Sequence, residues 1–198
     1  MVIMKNDYDK TNILSFVFFL VLGLWISASP TGMKDLPDID MKFQSVFGHR
    51  SILFHSIFFP YLFYFLIKKK KNFINSYFLI FSIGNFLGMG IHLVADFFPT
   101  KWEGLALIKL FGNYDIGALS SFWVGFNALG CIFFSSYLII KFYKKFYFLI
   151  SYFFTGTFIG ALYSLHERHN QLEIFLCFFA TLIISIAIAI LVKKNLVN

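Results

Sequence analysis

Apolar runs that stop at lysine clusters leave this chain few ways to fold. Residues 13–28, 52–67, 73–98, 116–140, 146–165 and 174–192 consist mostly of Phe, Leu, Ile and Val. Crossing a bilayer takes about 20 such residues, fewer where flanking groups help. Lys68 to Lys71, Lys141, Lys144, Lys145, Lys193 and Lys194 end three of the runs. With 59% hydrophobic and 14% charged residues, the chain cannot supply the polar surface of a soluble domain of its size. The expectation is an all-α, polytopic transmembrane helix bundle of about six spans, forming one integral membrane domain over residues 1–198.

Local signals refine that outline. Residues 13–28 also have the length of a signal-peptide core, with Ser27-Ala28 near a cleavage position, although Ile26 is large for the peptidase. Pro60 inside the second run should kink its helix. Gly84 with Gly88, and Gly156 with Gly160, have the GxxxG spacing that lets helices pack closely. Residues 105–111 are too few to cross, which predicts a short interfacial helix after span three, with Trp102 near the interface. Cys131 and Cys177 lie in apolar runs without a CxxC pair, so they read as small buried side chains rather than zinc or disulfide ligands.

Six spans put both termini on one side. That side holds eleven lysines against Asp7 and Asp9, whereas the other holds six basic and eight acidic residues. By the positive-inside rule the termini are cytoplasmic. The net charge of +7 therefore reports orientation and contact with anionic lipid, not nucleic-acid binding. All five histidines fall on the outer side, with Asp38, Asp40 and Asp96. Ionisable groups gathered at a membrane border are costly and mark function.

His92 and Asp96 are four apart on a helix, about 40° apart in projection, and so share a face. HxxxD at a helix end is a two-ligand platform for a divalent ion, and equally a histidine paired with its own helix's carboxylate. His49 and His55 are six apart, too many for one helical face. Ser51 is a good N-cap, which would leave His49 on the loop and His55 in the first turn, both pointing inward. Asp38 and Asp40 add oxygen ligands or, for Asp40, a general base. A mixed His/Asp set suits zinc or manganese. Arg50 could hold an anionic oxygen bidentately or reach lipid phosphates. Ser56 could orient a ligand or bond to its own backbone. His166, His169 and Glu173 form a weaker outer set that could complete a second metal position.

The segments Leu36-Pro37-Asp38-Ile39-Asp40, Phe47-Gly48-His49-Arg50 with His55-Ser56, and His92-Leu-Val-Ala-Asp96 followed by Pro99 resemble the YdjM-like family in order and spacing. These are small inner-membrane proteins, classed as metal-dependent hydrolases, whose founding member is LexA-regulated. The resemblance covers about residues 36–112, including Gly104, and leaves residues 116–192 as additional C-terminal helices. It implies a bacterial inner-membrane protein with Asp38, Asp40, His49, His55, His92 and Asp96 as its polar signature, accompanied by Arg50 and Ser56. This chain departs from the family by one extra residue between His49 and His55, and by Met41 where several members have His.

The resulting expectation is a hydrolase at the outer membrane interface. A divalent ion would activate water, Asp40 would act as base and Arg50 would steady the developing anion. Location alone points to a lipid-linked ester or phosphoester as substrate. A metal-stabilised scaffold or partner-binding subunit is the main rival. A small-ion transporter ranks last, because the middle of the spans offers little beyond Asn85, Asn127 and hydroxyls.

Overall fold

The computed structural model describes residues 11–31, 35–68, 74–98, 107–112, 114–167 and 171–197. Six apolar helices make the bundle: α1 (Ile13–Ser27), α3 (Phe58–Lys68), α4 (Ile74–Phe97), α5 (Leu119–Phe142), α6 (Phe146–Glu167) and α7 (Gln171–Val197). Between α1 and α3 the chain forms a 3-10 helix, Pro37–Phe43, and the single turn α2 (Gln44–Phe47). Two short strands, β1 (Lys109–Phe111) and β2 (Tyr114–Asp115), pair antiparallel between α4 and α5.

Among the described residues, three helices are long and apolar enough to cross a membrane: Ser76–Phe97, Leu119–Phe142 and Phe146–His166. By length and composition, the chain reads as an integral membrane protein. The expected six spans are coarser in outline here, because α1, α3 and the apolar part of α7, Ile174–Ile188, are shorter. The outward faces remain apolar, with Phe18, Phe122, Phe126, Phe154, Phe158 and Ile190 exposed. Helices apolar on every side are covered by protein on one face and need an apolar medium on the other.

Helix α4 is the inner helix. Of its apolar window 89% is buried, against 50% for α5 and 44% for α6, and it touches α1, α3, α5, α6 and α7. The glycine pairs explain how neighbours come so close. A Cβ on Gly84 would overlap the Leu20 carbonyl of α1, and one on Gly23 would overlap the Phe81 carbonyl of α4. Backbone meets backbone there, as the GxxxG spacing predicts. Gly156 of α6 likewise admits the Leu87 side chain.

Contacts also give the helix directions. Leu20 and Leu24 of α1 lie beside Gly84 and Gly88, and Leu87 and Ile91 lie beside Gly156 and Gly160. Hence α1, α4 and α6 run parallel. Ser135 meets Ile83 while Ile132 meets Gly90, so α5 runs against α4. The C-terminal ends of α1, α4 and α6 and the start of α5 therefore share one end of the bundle. Lys141, Lys144 and Lys145 lie at the other end, around the α5–α6 turn.

Two expectations change. Residues 52–57 are not helical; they wind through turns, and α3 begins only at Phe58. Pro60 consequently falls in the first turn of α3, where a missing N–H breaks no helical bond, and it does not kink a span. The segment after α4 is not an interfacial helix in its described part, which is the β1–β2 hairpin; residues 99–106, with Trp102 and Gly104, lie outside the described residues. Cys131 is buried as expected, and the side chain of Cys177 is not among those described.

Candidate metal centre

Four backbone segments converge at the end of the bundle where α4 and α6 terminate. The 3-10 helix carries Asp38 and Asp40, the loop after α2 carries His49 and Arg50, the turns before α3 carry His55, and the last turns of α4 carry His92 and Asp96. The hairpin holds the loop in place. Lys109 N–H donates to the Arg50 carbonyl at 2.9 Å, Ile52 N–H donates to the Lys109 carbonyl at 2.8 Å, and Gly112 N–H donates to Val46 at 3.0 Å. Gly48 has φ +72°, and a Cβ there would run into the Gly112 carbonyl, so this turn of loop needs glycine. Arg50 also adopts a left-handed φ of +62°, uncommon for a side chain of its size.

Ser51 does not cap α3. Its N–H donates to Asp40 Oδ2 at 2.7 Å, its hydroxyl accepts from Phe54 N–H at 3.3 Å, and its carbonyl accepts from His55 N–H at 2.9 Å. These bonds close the turn that swings His55 inward. His49 remains on the loop, as expected, and His55 precedes the helix instead of opening it.

The two buried imidazoles turn their Nε2 atoms toward the same carboxylates. His92 Nδ1 lies 2.7 Å from the Tyr163 hydroxyl and 3.3 Å from Asp35 Oδ2, while its Nε2 points into the cluster. His55 Nδ1 lies 3.5 Å from Asp40 Oδ2, and its Nε2 points into the same space. There His55 Nε2 is 3.5 Å from Asp38 Oδ1 and 3.6 Å from Asp96 Oδ2; His92 Nε2 is 3.9 Å and 3.4 Å from the same two atoms. These spacings exceed the 2.7–3.2 Å of a good hydrogen bond. Among the described residues, His55 Nε2, His92 Nε2 and Asp96 Oδ2 have no hydrogen-bond partner although buried.

Such atoms are costly to bury unpaired. Ligands about 2.0–2.2 Å from a tetrahedral ion stand roughly 3.3–3.5 Å from one another. Asp38 Oδ1, His55 Nε2 and His92 Nε2 come close to that spacing, with Asp96 Oδ2 3.6 Å and 3.4 Å from the two imidazole nitrogens, and such a His/Asp set suits a divalent ion. Tyr163 and Asp35 on His92 occupy the place of the groups that orient metal-binding histidines through Nδ1, whereas His55 Nδ1, 3.5 Å from Asp40 Oδ2, makes no hydrogen bond among the described residues. Asp38, His55 and His92 thus form one group able to hold an ion, and Asp38, Asp40 and His49 form another.

Charge fits the same reading. Burial opposes ionisation of Asp38 and Asp40, but the facing imidazoles outweigh it: His92 and His55 for Asp38, His49 and His55 for Asp40. Both carboxyls sit below the usual carboxylate range and are ionised at neutral pH. Arg50 Nε lies 3.7 Å from Asp96 Oδ1, which places a guanidinium at the edge of the cluster.

Of the outlying residues expected from the sequence, Ser56 does not orient a ligand: its buried hydroxyl donates to the Leu53 carbonyl at 2.7 Å. His166 is exposed on the last turn of α6. His169 lies outside the described residues, as does the side chain of Glu173. Asn85 and Asn127, the polar groups of the helix middles, serve packing. Asn85 Oδ1 accepts from the Ser27 hydroxyl, and Asn127 joins Ile57 N–H to the Trp123 carbonyl.

Sequence reasoning missed Asp35 and Tyr163. Asp35 lies three residues before Asp38 and was counted only as a charge, and Tyr163 sits seventy-one residues from the histidine it touches. The hairpin did leave a signal, a Gly112-Asn113 pair between apolar residues, which is turn chemistry. The chain matches no protein-family model, no curated protein and no solved structure.

Proposed function

We propose that this protein is a membrane-embedded, metal-dependent hydrolase acting on a lipid-linked ester or phosphoester. The observation that carries the reading is the group of facing atoms on Asp38, His55 and His92, flanked by Asp96, at ion-coordinating spacing, with the His92 ring held from behind by Tyr163 and Asp35. These residues would hold one divalent cation, zinc or manganese. A bound cation of this kind brings the pKa of water to about 7 and polarises the bond to be cut. Asp40 Oδ1 lies unpaired beside His49 Nδ1 at 3.5 Å and is placed to receive a proton. Arg50, partly exposed, faces the cluster from its rim and suits an anionic oxygen. The segments that carry the YdjM-like resemblance are the ones that converge, which supports membership of that family and a place in a bacterial inner membrane.

The directions of α1, α4, α5 and α6 fit six crossings with both termini on one side, and the lysine excess on that side supports cytoplasmic termini and a site on the outer face. Cysteines introduced at Met41 and Lys144 should then react with an impermeant reagent from opposite sides of the membrane. Labelling of both from one side would defeat this orientation.

A scaffold role has one observation in its favour: Asp96 Oδ2 stands 3.4 Å from His92 Nε2 and 3.6 Å from His55 Nε2, and as a fourth ligand it would close the site, as in structural sites. Turnover separates the two. The metal-loaded protein, incubated with a membrane lipid extract, should release a water-soluble headgroup or phosphate fraction, and a chelator should stop the release. An unchanged extract, from protein shown to hold its ion, would favour the scaffold.

A further inference from the structure

We propose that the cluster binds a second divalent cation, held by Asp40 Oδ1 and His49 Nδ1 with Asp38 shared between the two ions, and that the substrate is accordingly a phosphoester. This rests on the first ion's site as proposed above.

Three observations carry it. Asp38, Asp40 and His49 offer ligand atoms that all lie within 4.8 Å of one another. His49 Nδ1 is 3.5 Å from Asp40 Oδ1 and 4.0 Å from Asp38 Oδ1. Neither His49 Nδ1 nor Asp40 Oδ1 has a hydrogen-bond partner among the described residues, although both atoms are buried and the Asp40 side chain is fully so. The first site uses neither atom as a ligand, so one ion leaves both buried atoms without a partner.

Charge is the second observation. Among the described residues the cluster gathers four carboxylates, Asp35, Asp38, Asp40 and Asp96, and one guanidinium, Arg50 beside Asp96, a formal surplus of three negative charges. Neutral histidines are what metal binding requires. One divalent ion then leaves the cluster at −1 and two bring it to +1, the sign that attracts an anionic substrate. A buried net negative charge repels one.

Exposure is the third. His55 is fully buried and His92 nearly so, whereas the His49 and Asp38 side chains are 27% and 25% exposed. The second position therefore lies toward the opening, with three protein ligands and room for others, as catalytic sites have. The inner ion, held by Asp38, His55 and His92 with Asp96 beside them, anchors the segments. Two ions about 3.5–4 Å apart clamp the attacking and leaving oxygens of a phosphoester, which a carboxylic ester does not require. In that arrangement Asp40 is a ligand and not a base.

The test uses the purified full-length protein in detergent, stripped with chelator and reloaded with Mn²⁺ alone. Wild type should hold two ions per chain and give the paramagnetic spectrum of a spin-coupled pair. His49→Ala should hold one ion with the spectrum of an isolated Mn²⁺, its retained ion showing that the site still folds. Asp40→Asn should do the same, and His166→Ala should keep both ions. One ion in wild type, unaffected by His49→Ala, overturns the second site and leaves the first standing. Two ions with uncoupled spectra, or a second ion lost from His166→Ala instead, also overturn it. A wild type that binds none overturns both sites.

Discussion

His92→Ala should give a helical protein that no longer retains its inner ion. The histidine supplies one of the converging ligand atoms, with Asp38 and His55, and its Nδ1 is held by Tyr163 at 2.7 Å and Asp35 at 3.3 Å. Losing it removes a ligand outright, so the loss in affinity should exceed the roughly 10–100-fold that outer partners of metal ligands are worth. His55→Ala, from a different segment, should match it, because the site exists only where the segments meet. Asp35→Asn is the graded companion. It keeps every ligand but weakens the grip on the His92 ring, and its loss should stay within about 10–100-fold. Metal content after gel filtration, with circular dichroism as the check on folding, measures all three. Acid should mimic the alanine variants. A proton competes for each Nε2; burial opposes it at His55, but the facing Asp38 and Asp40 outweigh that and raise the His55 pKa, so retention should fall as pH drops, beginning above the ordinary imidazole value of about 6.5. Full metal content in both alanine variants would place the ion elsewhere.

Arg50→Ala should leave metal and fold in place and remove most of the turnover. The guanidinium is not among the ligand groups; it stands 3.7 Å from Asp96 Oδ1, and its side chain is 14% exposed. Alanine is no more strained than arginine at φ +62°, and the backbone carbonyl of residue 50 still accepts from Lys109 N–H. Removing one preorganised donor to a developing oxyanion typically costs ~2.7–4 kcal/mol, or roughly 10²–10³ in rate. Lysine should restore only part of this, since a point charge lacks the bidentate fork. Wild-type turnover from the alanine variant, at full metal content, would remove Arg50 from the chemistry. A wild-type phenotype without detectable turnover would favour the scaffold, in which an arginine at an anion's position has no task.

Much of the architecture was legible in residue order. Apolar runs dictate helices because a backbone without water must bond to itself, and the glycine pairs dictate where α1, α4 and α6 come close. The clustering of His and Asp beside three helix ends was legible too, because alternating directions bring those ends together. Where α3 begins was not. The six residues before it are as apolar as a helix, but Ser51 and Asp40 bind their backbone into turns. Periodicity cannot register a hydrogen bond made by a side chain eleven residues away.

By itself, then, the sequence determined an all-α chain of apolar helices, the end of the bundle at which its ionisable groups gather, and the residue types able to hold an ion. The tertiary structure decided which nitrogen of each imidazole faces inward, that Asp35 and Tyr163 stand behind His92, and that Ser56 stands apart. The physical reason is range. Helix pattern is set by neighbours three and four residues away, whereas the site's geometry is set by contacts such as Lys109 with Arg50 and Tyr163 with His92, fifty-nine and seventy-one residues apart. A hairpin laid across a loop fixes those ring positions, and no local propensity encodes it.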